Sequence, residues 1–159
     1  VAAAGDLSPA EGRMLDILAA HPEGLDRTEL AIRAGYAAGG GGFRNTLSAL
    51  HTRGLIEKSG SRVTLSSSGA SRYASQRPSP MTASEVQDVW RRKLSPAEWR
   101  MLEALIAVHP RQLSRADLAT RCGYEVSGGG FRNTLSALSV NNLVQKSGGM
   151  VSAAEVLCR

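Results

Sequence analysis

Aromatic side chains make up only 4% of this 159-residue chain. Two Phe, three Tyr and two Trp cannot build its core, so Leu, Ala, Val, Ile and Met must. Cysteine is scarcer still. Cys122 and Cys158 make neither a disulfide framework nor a metal set, and a reducing cytoplasm is the expected compartment. No apolar run approaches the ~18 residues of a membrane span, so no membrane partner is expected. The N-terminus lacks a basic start followed by a hydrophobic stretch, which argues against a signal peptide. It begins with Val1 rather than Met, as a segment of a larger protein would. Only three histidines are present, and His21 and His109 each precede a proline with no Cys or acid at ligand spacing. No Ser-His-acid order, no paired catalytic carboxylates and no G-x-x-x-x-G-K-[ST] loop occur. No enzymatic activity, cofactor or metal is therefore expected.

What the chain does have is a repeat. The string GGGFRNTLSAL stands at Gly40–Leu50 and again at Gly128–Leu138. Leu7-Ser-Pro-Ala-Glu11 returns as Leu94-Ser-Pro-Ala-Glu98, Gly35-Tyr36 as Gly123-Tyr124, and Lys58-Ser59-Gly60 as Lys146-Ser147-Gly148. Identity on this scale means an internal duplication of a unit long enough to fold as a small domain. Cys122 takes the place of Ala34, which fits a small buried thiol. The stiff Pro78-Ser79-Pro80 stretch marks a break. The predicted organisation is a first domain over 1–77, a linker with a short amphipathic helix over 78–93, and a second domain over 94–159. The net charge is +5, and the connector holds much of the excess in Arg72, Arg77, Arg91, Arg92 and Lys93. A basic balance favours polyanionic partners, although charge spread this thinly also suits a solvated surface.

Each copy reads as three helices and a β-hairpin. Ser8, Pro9 and Glu11 form a capping-box start, and Met14, Leu15, Ile17 and Leu18 follow at helical spacing. Asp26 caps a second helix over Arg27–Ala34, which Gly35 stops. A third helix runs from about Gly42 to Thr52, with Phe43, Leu47 and Leu50 as its core stripe. Leu55-Ile56, a turn at Ser59-Gly60-Ser61, and Arg62–Leu65 make the hairpin. Copy two repeats this over Ser95–Val108, Arg115–Cys122, Gly130–Val140, Leu143–Lys146 and Met150–Ser152. In the connector, Ser84 and Gln87 are the expected capping pair of a helix over Ser84–Lys93. Its Trp90, together with Trp99, either locks that helix onto copy two or buries an interface between copies.

Helix, helix, turn, helix and hairpin in this order resemble a winged helix-turn-helix. Leu50-His51-Thr52-Arg53-Gly54-Leu55-Ile56 is similar to a common exit from the third helix into the wing. Val63–Gly69 looks like the wing exit that opens a terminal helix in MarR-like proteins. Gly123–Leu138, and Gly35–Leu50 with Gly39 where copy two has Ser127, resemble winged-helix segments of bacterial and phage mobile-element proteins, some appended to HerA/FtsK-like ATPases. The resemblance implies a mainly α fold with small β-hairpins: two tandem winged helix-turn-helix domains from an internal duplication. It also implies a cytoplasmic, DNA-binding module, with a larger protein or ATPase domain as a further partner.

In a helix-turn-helix the second helix of the motif, here the third of each copy, enters the major groove. With its apolar stripe committed to the core, Arg44, Asn45, Ser48 and His51 face outward in copy one, and Arg132, Asn133 and Ser136 in copy two. Arginine pairs with guanine and asparagine with adenine in bidentate fashion. The glycines before the helix leave N–H groups bare for a phosphate. Lys58 and Arg62 at one hairpin tip, and Lys146 at the other, would touch the backbone, while Met150 replaces Arg62 and leaves the second wing less basic. Duplex DNA is the expected partner. Three bland alternatives stay open: Arg44 paired with an acid such as Glu29, Asn45 capping a loop, and glycines present only for helix packing. A protein–protein scaffold is the rival function. Tyr36 and Tyr124 are expected to plug the core or bridge the turn.

Overall fold

A computed structural model describes residues 7–158. The chain is mainly helical, with two small antiparallel three-stranded sheets. It divides into two compact units, Val1–Met81 and Thr82–Arg159.

The first unit begins with α1 (Pro9–Ala19), where Ser8 and Glu11 close the capping box. β1 is only Leu25–Asp26. Asp26 then caps α2 (Arg27–Ala34), which Gly35 ends in the left-handed conformation at φ 84°. α3 spans Gly41–Thr52. β2 (Ile56–Ser59) and β3 (Arg62–Leu65) follow, then a short α4 (Ser67–Ser71). Hydrophobic periodicity decides the packing. Met14, Leu15 and Leu18 of α1, Leu30 and Ala31 of α2, and Phe43, Leu47 and Leu50 of α3 share one core with Ile56 and Val63 of the sheet. Tyr36, Leu65, Tyr73 and Met81 pack against it.

The expected hairpin is part of a three-stranded sheet ordered β1-β3-β2. β1 pairs with β3 through Leu25 opposite Val63 and Asp26 opposite Arg62. A two-residue strand shows no alternation in sequence, so pattern alone could not place it. Gly69 sits so close to the Leu55 carbonyl that a Cβ would collide with it, which binds α4 to the end of the sheet.

Tyr73 anchors the segment after α4. Its hydroxyl donates to Asp16 Oδ1 at 2.5 Å. Burial first, and then that bond to Asp16, push the Tyr73 hydroxyl far above its ordinary value of 10.0. The fold favours the protonated form, so this stabilisation is intact below about pH 10 and is lost as the pH rises through the folded value. In an alkaline unfolding titration, Tyr73→Phe should therefore flatten the loss of stability above pH 10.

The second unit opens with α5 (Ala83–Lys93), then α6 (Pro96–Val108), β4 (Leu113–Ser114), α7 (Arg115–Cys122), α8 (Gly129–Val140), β5 (Val144–Ser147) and β6 (Met150–Ala153). A 3-10 turn over Glu155–Leu157 follows. The sheet order is β4-β6-β5. Met101, Leu102, Leu105, Leu118, Phe131, Leu135, Leu138, Leu143 and Val151 are almost fully enclosed.

Two expectations about the connector change. The capping box of α5 is Thr82 with Glu85, not Ser84 with Gln87. Gln87 instead donates from Nε2 to the Leu157 carbonyl at 2.7 Å. That bond, with Val86 and Trp90 buried, joins α5 to the second unit, which begins at Thr82 rather than at 94. Arg91 lies 4.8 Å from the centre of the half-buried Trp99 ring, so both tryptophans tie α5 to this unit. Burial raises both thiols, with Cys122 enclosed by α7 and its neighbours, which suits structural rather than reactive cysteines.

Candidate nucleic-acid interface

α3 and α8 have one apolar stripe each and no acidic residue anywhere in their length. Phe43, Leu47 and Leu50 are 0–2% exposed, as are Phe131, Leu135 and Leu138. Helical geometry then fixes what faces out. Arg44, Asn45, Ser48 and His51 are exposed on α3, and Arg132, Asn133 and Ser136 on α8. None of these seven side chains forms a hydrogen bond or ion pair among the described residues. The pairing of Arg44 with Glu29 does not occur: Glu29 holds Arg33 of its own helix at 3.0 Å.

The N-termini of both helices are bare. Gly40 and Gly128 are the N-caps, and neither can supply a side-chain cap. The first-turn N–H groups thus carry the positive end of the helix dipole, roughly half a charge, without a capping acceptor. The glycines divide into two kinds. A Cβ on Gly130 would crowd the Tyr124 ring at 3.2 Å, while one on Gly42 would make an ordinary contact with Tyr36 at 3.5 Å, so both glycines lie against a tyrosine. Around Gly39, Gly41 and Gly129 a Cβ would meet nothing within 4 Å. Internal packing does not account for those three. Tyr36 and Tyr124 sit half-buried beside Phe43 and Phe131, with ring centroids 6.4 Å apart in each pair.

The hairpins separate the remaining candidates. Lys58 and Lys146 are exposed and unpaired among the described residues. Arg62 is not available in the way its sequence position suggested. Its Nη1 donates to the Glu23 carbonyl at 3.1 Å and to the Gly24 carbonyl at 2.9 Å, clasping the loop before β1. Glu23 also sits there, its carboxyl held below the ordinary range by a main-chain hydrogen bond, then His21, then Arg62.

Copy two reverses this corner. Met150 replaces Arg62, Ser114 replaces Asp26, and exposed Arg111 replaces Glu23. Among the described residues the second unit thus keeps an unpaired cation where the first has two acids and an engaged arginine.

Two residues that sequence reasoning passed over complete the surface. Arg27 and Arg115 are the first helical residues of α2 and α7. Their guanidinium carbons lie 5.6 Å and 5.9 Å from the Phe43 and Phe131 ring centres. Their backbone N–H groups donate to Ser61 and Gly149 in the hairpin turns. Each arginine therefore stands between the outer helix and the hairpin. The available signal was an Arg directly after the cap residue in both copies.

Among the described residues no three His, Cys, Asp or Glu side chains gather as metal ligands would, and no helix is long and apolar enough to cross a membrane. No protein-family profile matches the chain, and no curated protein does either.

Proposed function

We propose that the chain is a tandem winged helix-turn-helix module, arisen by internal duplication, that binds duplex DNA through α3 and α8. The observation that carries this reading is a pair of acid-free helices with the same exposed, unpartnered Arg-Asn-Ser face above an uncapped glycine N-terminus. Free guanidinium and carboxamide groups at adjacent positions are the hydrogen-bonding set that distinguishes guanine and adenine in the major groove. The bare N–H groups suit a phosphate. Arg27, Lys58, Arg115 and Lys146 border the helices as backbone contacts, which position rather than specify. Because residues 40–50 and 128–138 are identical, each unit should prefer the same short base sequence.

A salt series with random duplex DNA tests the electrostatic part, since log affinity falls linearly with log salt by about 0.9 per phosphate contacted. Lys146→Ala should lower that slope by about 1. Arg62→Ala should leave the slope nearly unchanged and cost roughly 1 kcal/mol of stability, because its hydrogen bonds serve the loop. Weak, salt-insensitive association indifferent to the loss of Lys146, Arg44 and Arg132 would instead favour a protein-binding scaffold.

A further inference from the structure

Only two large hydrophobic side chains are exposed among the described residues: Val126 at 43% and Val140 at 66%. They bracket α8. Val126 lies in the turn before it, and Val140 is its last residue. The first unit has Ala38 and Thr52 at these places. Val140 is seven residues after Asn133 and four after Ser136, so it continues their helical face. Isolated exposed valines are ordinary. Here, however, the chain's exposed large apolar groups are confined to the two ends of one helix whose outer face is otherwise polar. A protein docking site would need a contiguous apolar patch, and a helix of 12 residues, about 18 Å long, separates these two.

Resting on the DNA-binding function proposed above, we infer that Val140 reads a thymine C5-methyl group in the major groove and so gives the second unit a base preference that the first lacks. Seven residues advance about 10.5 Å along the helix, roughly two to three base steps from the base facing Asn133 for a helix lying along the groove. There an isopropyl group has no hydrogen bond to offer. It gains by covering a methyl and loses by burying a carbonyl or amino edge. Thr52 presents a hydroxyl as well as a methyl at the matching position, so it can also serve a polar edge.

The test begins with selection of a preferred sequence from a random duplex pool by the full chain. Each thymine in the selected duplex is then replaced singly by deoxyuridine, which removes the methyl and keeps the base pair. One replacement should weaken binding about fourfold, as expected for one buried carbon at ~0.8 kcal/mol. Val140→Ser should abolish that sensitivity. Thr52→Val should create a second sensitive position. Val140 is exposed, so its replacement leaves the core intact. A selected duplex that tolerates every deoxyuridine overturns the role of Val140 while leaving DNA binding standing. A chain that enriches no duplex at all overturns both.

Discussion

Replacing Arg44 and Arg132 together by alanine lowers affinity for duplex DNA by at least about thirtyfold. A well-placed arginine–base hydrogen-bond pair contributes roughly 1–3 kcal/mol, and removing both arginines at the lower bound gives that factor. The effect belongs to binding alone. Both guanidiniums are exposed and unpartnered among the described residues, so their removal breaks no internal bond. Equilibrium titration of the double variant, beside a thermal melt indistinguishable from the parent's, checks both halves. The single variants should each lose about half the free energy of the pair, because the two units carry the same eleven-residue segment.

Phe43→Ala should have the largest effect on stability. The ring is 0% exposed, sits at the start of α3, and touches the Tyr36 ring on one side and the Arg27 guanidinium on another. Truncating a buried Phe costs about 3–5 kcal/mol. A unit of this size with so few aromatic residues has little more than that in total. Hydrogen exchange should show the amides of 7–81 losing protection while those of 82–158 keep theirs, since the second unit has its own core around Phe131. Phe131→Ala should give the mirror result. Equal loss throughout the chain would show that the two units do not fold separately.

Much of the architecture was legible because it is written in local chemistry. Ser8 and Glu11, Asp26 before α2, and Gly35 after it each satisfy a helix end with a group three or fewer residues away, so sequence alone exposes them. The stripe of Phe43, Leu47 and Leu50 has the helical period and ends buried as that period requires. What escaped depends on distant partners. β1 exists because Leu25 finds Val63, 38 residues later. Two cap patterns overlap at 82–87, and the nearby sequence could not show that Gln87 is drawn away to Leu157. Arg62 looked like a free cation because the carbonyls that hold it belong to Glu23 and Gly24, far back in the chain. The same distance hid Arg27 and Arg115, whose meaning comes from Phe43 and Phe131 beneath them.

The outward face of α3 and α8 was inferred correctly as geometry, and its use for DNA is our proposal. It is tested most directly by titrating duplex DNA into the isotopically labelled chain and following each backbone and side-chain amide. The account predicts that shifts concentrate at Gly40–Thr52 and Gly128–Val140, with lesser changes at Arg27, Lys58, Arg115 and Lys146. Shifts confined to α1, α5 and α6, or a spectrum unmoved by DNA at low salt, would contradict it.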